Sequence, residues 1–284
     1  MKADCHVHMI LDGVWWKDAI ARHRDKPDEA YIRNILAQYR EQGYTHLRDG
    51  GDAWCVCTLA AKLASEYGIV YRTPAFPIHK TGHYGSFIGC GFETPSEYLC
   101  LLKKAKEQGA DFIKIMISGL IDFDRPHELT GEALRDDEIG DMIARAHDMG
   151  FAVMAHANGA NTVKAAICAG VDSIEHGAYM DDEAIAMLSQ SRTVWVPTIA
   201  TIGNLFGTGR HEQSALQKIF DLHAENIRKA AKLGAMIAVG SDAGAFAVPH
   251  TKGGVDENRY LSQIIGANAE QILRCGNKEI FDRF

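Results

Sequence analysis

Short apolar runs alternate with amphipathic segments along the whole chain. In residues 29–42 the apolar side chains recur at spacings of three and four, which predicts a helix that ends before Gly43. The short apolar runs between such segments predict strands. The predicted strands cover residues 5–10, 44–48, 69–78, 111–117, 151–155, 171–174, 193–198 and 235–239. The predicted helices cover residues 29–42, 54–67, 96–108, 136–149, 160–169, 181–190, 214–233 and 257–274, the last interrupted at Gly266.

This regular alternation predicts parallel strands with helices packed outside them. A doubly wound open sheet would carry a glycine-rich phosphate turn after its first strand, and residues 9–13 (MILDG) are not such a turn. A closed (β/α)8 barrel typically needs roughly 250 residues, and the chain has 284. We therefore expect an α/β protein whose single domain, a (β/α)8 TIM barrel, occupies residues 1–284.

The composition is that of an ordinary globular protein, with 46% hydrophobic and 24% charged residues. Asp and Glu (37) outnumber Lys and Arg (30), and the net charge of −7 argues against nonspecific binding to nucleic acid or anionic membranes. No apolar stretch approaches the ~18 residues of a membrane span, and no secretory apolar region follows Met1 and Lys2. The seven scattered cysteines are typical of a reducing compartment, so we expect a cytoplasmic protein.

Residue types that bind metals recur at the predicted strands' carboxyl ends, which is where barrel active sites lie. The set comprises His6, His8, Lys114, His156, His176 and Asp242. Because side chains alternate along a strand, His6 and His8 point to one face and can bind the same ion. Imidazole and carboxylate groups are the usual ligands of hydrolytic zinc. The spacing therefore predicts a metal centre at this end of the barrel.

Lys114 is the unusual member of this set, because an ammonium group repels a divalent cation. Its presence is explained if carbon dioxide carbamylates the amine and converts it to a bridging carboxylate. The alternative is a lysine whose aliphatic stem is buried while its charge reaches the barrel rim. The order of the ligand types along five strand ends favours the metal centre over chance placement.

The chain resembles the amidohydrolase superfamily in its binuclear form, because these ligands match that family in type, order and strand. Longer strings resemble its imidazolonepropionase-like branch, and within it the Xaa-Pro dipeptidases and basic-residue carboxypeptidases. These strings are residues 155–159 (AHANG), 172–177 (DSIEHG) and 240–244 (GSDAG). The resemblance implies two divalent metal ions, with zinc as the expected metal, and carbon dioxide bound as a carbamate on Lys114.

The resemblance also implies a metal-dependent hydrolase that acts on carbon–nitrogen bonds. A hydroxide shared by the two ions would attack an amide carbonyl, and Asp242 would shuttle the proton. The expected substrate is a dipeptide, an N-acyl amino acid or a cyclic amide. The alternatives are an esterase, a lactonase or a phosphotriesterase-like hydrolase on the same site, or a noncatalytic barrel that binds metal or a small molecule.

The sequence differs from those relatives in two ways. They usually carry a small β-sandwich built from both chain ends, and we expect this barrel to lack it. Their loop after the third strand usually reads Thr-Gly-Gly-His-Gly-Asp, whereas residues 81–86 here read TGHYGS. We expect His83 in this loop to bind the substrate, together with Tyr179 and Arg48.

The expected partner is a small-molecule substrate, with no nucleic acid and no membrane. We also expect a homo-oligomer, because a barrel without the sandwich leaves apolar surface near Trp15, Trp16 or the C-terminal helix uncovered. Exposed apolar patches of several hundred Å² commonly mark interfaces, and closed dimers are the commonest assembly.

Overall fold

The computed structural model describes residues 1–284 and consists of parallel strands surrounded by helices. The strands are β1 (Ala3–Val7), β2 (His46–Asp49), β3 (Val70–Arg72), β4 (Pro77–Lys80), β5 (Cys90–Phe92), β6 (Ile113–Met116), β7 (Val153–Ala157), β8 (Ser173–His176) and β9 (Val194–Val196). The helices are α1 (Trp16–Arg22), α2 (Glu29–Glu41), α3 (Val56–Ala64), α4 (Pro95–Glu107), α5 (Asp136–Asp148), α6 (Ala160–Cys168), α7 (Asp182–Gln190), α8 (Ala200–Gly203), α9 (Gln213–Lys232), α10 (Lys252–Ile265) and α11 (Ala269–Arg283). A short 3₁₀ helix, Ser65–Tyr67, follows α3.

Local sequence explains where the helices begin. Helix α4 has a proline in its first turn, and the Thr94 side chain accepts a hydrogen bond from the backbone of Glu97 while the Glu97 carboxylate accepts one from Thr94. Helix α2 begins after Asp28, whose carboxylate accepts a hydrogen bond from the Tyr31 backbone at 3.1 Å. These caps satisfy backbone donors that the helix itself leaves unpaired.

The strands form two hydrogen-bonded groups, with the orders β1-β2-β3 and β5-β4-β6-β7-β8-β9, and every pairing is parallel. The segment predicted as one strand over residues 69–78 contributes β3 to the first group and β4 to the second. Pro74 lies between the two strands, and Pro77 begins β4, a position at which a missing backbone donor is tolerated. The turn is held by Asp111, whose backbone donates to the Thr73 carbonyl and whose carboxylate accepts from the Thr73 backbone, both at 2.9 Å.

The predicted strand over residues 235–239 closes the barrel through backbone hydrogen bonds. Trp195 of β9 donates to Met236 and accepts from Ala238, both at 2.9 Å. On the other side, Cys5 of β1 donates to Val239 at 2.8 Å. This segment therefore lies between the last and first strands, as the barrel prediction requires, and the fold is a TIM barrel.

Other parts of the chain also differ from the sequence-based expectations, and helices α1 and α8 were not predicted. Strand β5 was not predicted and pairs with β4 outside the barrel order. The helix predicted over residues 257–274 is two helices, α10 and α11. Gly266, with φ of +82°, ends α10 in a conformation that favours glycine, and α11 begins three residues later.

The amino ends of the strands are filled by apolar side chains and covered by α11. Phe112 and Phe284 pack edge to face there, with ring centroids 5.1 Å apart. This apolar floor leaves the carboxyl ends of the strands as the open end of the barrel. No helix combines the length and apolar character needed to cross a membrane.

Candidate metal centre and active site

Two histidines at the carboxyl end of β1 lie beside an aspartate from the segment that follows residues 235–239. The Nε2 atoms of His6 and His8 are 3.3 Å apart, and Asp242 Oδ1 lies 3.5 and 3.3 Å from them. The backbone of Asp242 donates to the His6 carbonyl at 2.8 Å, which fixes the aspartate beside the strand. These three side chains form a group with the donor atoms and spacing to hold one metal ion.

His8 needs the space that Gly50 leaves at the end of β2. A Cβ atom at Gly50 would lie 2.3 Å from Cε1 of the His8 ring, far inside van der Waals contact. Any larger residue at this position would displace the ring from Asp242.

His156 and His176 form the opposite wall, with ring centroids 4.6 Å apart and His176 5.3 Å from His6. His156 donates from Nε2 to the Gly119 carbonyl at 3.1 Å, which leaves Nδ1 unprotonated. His176 Nδ1 is bonded to the Thr198 hydroxyl at 2.7 Å, which leaves Nε2 available. Such partners select the nitrogen that a histidine can offer to a metal.

Burial lowers the pKa of His6, His156 and His176 and keeps their imidazoles neutral, the form that binds metal. Burial, reinforced by the nearby charge of Lys114, lowers the pKa of His6 to about 4 and that of His156 to about 3. Burial alone would raise the pKa of Asp242, but His6 and His8 more than offset it and hold that pKa well below its usual range. The centre therefore offers neutral nitrogens and an ionised carboxylate.

Lys114 lies on β6, inside this ring of ligands. Its side chain is buried, and its amine has no hydrogen-bond partner. Burial lowers the pKa of the amine to about 8, although Glu175 and Asp242 act to raise it. Burying an amine without a hydrogen-bond partner costs free energy, so we expect the Lys114 amine to bind a group that is not part of the protein chain.

Beneath the histidines lies a charged network that sequence reasoning did not find. The guanidinium of Arg48 donates to the Cys5 carbonyl at 2.7 Å, to the Ser173 hydroxyl at 2.8 Å and to Glu175 Oε1 at 2.8 Å. Glu175 Oε2 lies 2.8 Å from Nδ1 of His6. Burial acts to raise the pKa of Glu175, but Arg48 and His6 outweigh it and lower the pKa to about 2. The network therefore turns Nε2 of His6 toward the metal centre.

This placement differs from the expectation that Arg48 binds substrate. Arg48 is fully buried among the apolar side chains at the amino ends of the strands, with its guanidinium 4.6 Å from the centre of the Phe284 ring. Its donors are used within the protein, so it positions His6 from below.

Three residues of the centre hold strained backbone conformations. His176, Thr198 and Asp242 have φ angles of +67°, +50° and +60°, in the left-handed region that non-glycine residues rarely adopt. Such strain typically costs about 1–3 kcal/mol per residue and clusters at functional sites. The fold retains it here at residues that shape the ligand set.

A cavity of about 610 Å³ opens above the centre and reaches the surface. Its floor is formed by His6, His8, Lys114, His156, His176 and Asp242. The structure thus brings together every residue that the sequence placed in the metal set. Volumes of roughly 300–1,000 Å³ are typical of small-molecule sites.

The loop after β4 places Tyr84, and not His83, in the cavity. The Tyr84 ring packs on His156 with centroids 4.8 Å apart, and its hydroxyl makes no hydrogen bond within the protein. His83 turns away and bonds through Nδ1 to the Glu132 carbonyl at 3.2 Å. Tyr179 lies outside the cavity lining, with its ring stacked on His127 at 5.4 Å. Because the loop has no regular alternation of apolar and polar residues, its sequence did not indicate whether His83 or Tyr84 lies in the cavity.

Solved structures with the same fold include hydrolases. A Xaa-Pro dipeptidase with bound methionine superimposes with a TM-score of 0.74 at 23% identity, covering 95% of this chain and 71% of that one. Aspergillus niger ochratoxinase superimposes with a TM-score of 0.80 at 21% identity, covering 98% and 70%. At this identity the likeness establishes the fold.

Curated sequences give a similar set of relatives. The ochratoxinase of Aspergillus niger is 24% identical over 271 residues, covering 84% of this chain and 56% of the relative. An uncharacterized protein of Mycobacterium tuberculosis is 31% identical over 145 residues, covering 49% and 38%. The chain spans about half the length or less of these relatives. The model of the amidohydrolase family matches residues 4–269, and the chain therefore belongs to the amidohydrolase family.

Proposed function

We propose that this protein is a metal-dependent hydrolase that cleaves an amide bond in a small-molecule substrate. The observation that carries the proposal is the ring of His6, His8, His156, His176 and Asp242 around the unpartnered amine of Lys114. The ring forms the floor of a ligand-sized cavity. Membership of the amidohydrolase family supports the proposal, as do relatives named ochratoxinase and Xaa-Pro dipeptidase.

The donor set fits two divalent ions, with zinc as the expected metal. His6, His8 and Asp242 would hold one ion, and His156 and His176 the other. Lys114 would carry a carbamate as a further ligand for these ions, because its buried amine has no other partner. When bound, such ions polarise a carbonyl and lower the pKa of water to about 7.

Side chains of the protein transfer the proton and bind the substrate carbonyl. The ionised Asp242 accepts the proton of the attacking water as the new carbon–oxygen bond forms. It then delivers that proton to the leaving nitrogen as the carbon–nitrogen bond breaks. The Tyr84 hydroxyl, which lies free in the cavity, donates a hydrogen bond to the substrate carbonyl oxygen. Glu175 and Arg48 keep His6 in the orientation that the ligand set requires.

The test is hydrolysis of a library of dipeptides, N-acyl amino acids and cyclic amides by protein expressed with zinc and bicarbonate. Matched esters and lactones are included, because faster cleavage of those compounds would replace the amidase proposal with the esterase one. Protein that holds two equivalents of metal and cleaves nothing in the library would favour a noncatalytic binding role. Elemental analysis and the electron density at Lys114 test the metal count and the carbamate. One ion beside an unmodified amine would contradict both.

A further inference from the structure

The part of the cavity above the metal centre is lined by large apolar side chains; we call it the outer chamber. Its apolar lining includes five aromatic residues, Trp15, Trp16, Phe87, Phe123 and Phe246. Trp15, Trp16 and Phe246 are 42%, 41% and 37% exposed. Large apolar side chains clustered around one opening commonly mark a binding surface.

The walls of the outer chamber are braced by contacts outside the metal centre. The Trp16 and Phe87 rings meet edge to face at 5.6 Å, and the Arg210 guanidinium lies 4.3 Å above the Phe246 ring. The loop that carries Phe123 is joined to the opposite wall by Asp124, whose carboxylate is 3.0 Å from the His211 ring nitrogen. These contacts hold Trp16, Phe87 and Phe246 against their neighbours before a ligand arrives.

The charges around the outer chamber favour some amides over others. A dipeptide carries a free ammonium group, which needs a carboxylate partner when it leaves water. The two chamber carboxylates are already engaged, Asp122 with Arg125 at 2.6 Å and Asp124 with His211. An amide without an ammonium group avoids this desolvation cost.

We propose that the outer chamber binds a large, uncharged apolar arm of the substrate, either a ring system or a long alkyl chain. The proposal rests on the proposed function, because it places the amide bond at the metal centre. It excludes small dipeptides from the three substrate types expected from sequence. Burying each additional methylene group stabilises binding by about 0.8 kcal/mol, which corresponds to about fourfold in Kd.

The experiment compares N-acetyl-, N-hexanoyl- and N-(2-naphthoyl)-L-alanine with L-alanyl-L-alanine on the zinc-loaded protein. A second series places the naphthyl group on the amine side, as N-acetyl-2-naphthylalanine, because either arm can face the chamber. We expect kcat/KM to rise at least tenfold from the acetyl to the naphthyl compound in one of the two series. Equal rates across both series, or a preference for the dipeptide, would overturn the proposal while leaving amide hydrolysis intact.

Binding is measured separately on metal-free protein, by calorimetry with 2-naphthoic acid. Trp15→Ala and Phe246→Ala are each expected to weaken this binding about tenfold, since aromatic contacts contribute beyond buried area. Leu233→Ala is the matched control, because Leu233 is 57% exposed and lies outside the cavity. Naphthoate binding that depends on Trp15, in a protein with no hydrolytic activity, would support the chamber and overturn the proposed function. Unchanged binding in both variants would overturn the chamber.

Light scattering tests whether a second copy of the chain, and not a substrate, covers the outer chamber. A monomeric mass supports a chamber open to ligand. A dimer that dissociates in Trp15→Ala would show that the tryptophans form an interface and would overturn the proposal.

Discussion

Replacing Glu175 with glutamine tests whether the buried network controls both stability and the metal centre. The glutamine keeps the size of the side chain and removes its charge. Arg48 would then remain fully buried, without the carboxylate that now lies 2.8 Å from its Nη2 atom. Removing one partner of a buried ion pair typically costs about 3–5 kcal/mol. We expect Glu175→Gln to lose this much free energy of unfolding.

The same change removes the charged carboxylate oxygen that lies 2.8 Å from Nδ1 of His6. Loss of a partner of this kind typically lowers metal affinity about 10–100-fold. We therefore expect weaker zinc binding, measured by competition with a chelator of known affinity. Urea unfolding of the metal-free protein measures the stability effect separately.

Two further variants serve as controls. Ser173→Ala removes one neutral hydrogen bond to the network, 2.8 Å from Arg48, and should cost about 1 kcal/mol. Arg48→Met combined with Glu175→Gln removes the uncompensated charge and should be more stable than Glu175→Gln alone. The reasoning is refuted if Glu175→Gln unfolds within 1 kcal/mol of the wild type (against the ~3 kcal/mol minimum expected) and binds zinc equally well.

Three other predictions concern single side chains. Asp242→Asn should lose about 10²–10⁴-fold in kcat, as expected for a general acid–base group; a near-wild-type kcat at full metal occupancy would assign the proton transfer elsewhere. Tyr84→Phe should lower kcat more than His83→Phe does, because the Tyr84 hydroxyl faces the cavity and the His83 ring bonds to the Glu132 carbonyl; the reverse order would contradict our placement. Burial lowers the pKa of His223 to about 4, below the ~6.5 of an unfolded histidine. Below pH 6.5 the unfolded state therefore binds a proton that the buried imidazole does not. The free energy of unfolding falls by about 2 kcal/mol between pH 7.5 and 5 as a result. Urea unfolding at both pH values should show a correspondingly smaller loss for His223→Phe.

The convergence of the six proposed ligand side chains on one cavity could be predicted, because it depends on the order of the strands and on where they end. His156 and His176 follow short apolar runs, and parallel strands in a barrel bring their carboxyl ends together. Asp242 follows a segment that pairs with β1, so the same rule places it beside His6.

The helix boundaries near the C-terminus could not be predicted in this way. The pair Gly253-Gly254 is typical of a loop, yet both residues lie in α10. A Cβ atom at Gly254 would lie 2.4 Å from the Tyr44 hydroxyl and 2.8 Å from the Asp4 carboxylate. The glycines are explained by this close packing between distant parts of the chain, which overrides their low helix propensity.

Arg48 shows a second limit of sequence patterns. Strand alternation predicts which side chains point into a barrel, but it does not predict how deep along the axis each one lies. Arg48 extends toward Phe284 and the amino ends of the strands, below His6. An arginine at a strand end is therefore compatible with either a substrate contact or a buried support.

The choice between His83 and Tyr84 matters for mechanism as well as for placement. A solvent-accessible imidazole in contact with the substrate would add its own limb to the pH–rate profile, because the ordinary pKa of histidine is about 6.5. Burial, followed by the charge of Asp242, raises the pKa of the Tyr84 phenol above its ordinary value. The hydroxyl thus remains a protonated donor at every pH below the ordinary phenol pKa of about 10. Because no hydrogen bond within the protein competes for it, this donor is available to the substrate throughout that range.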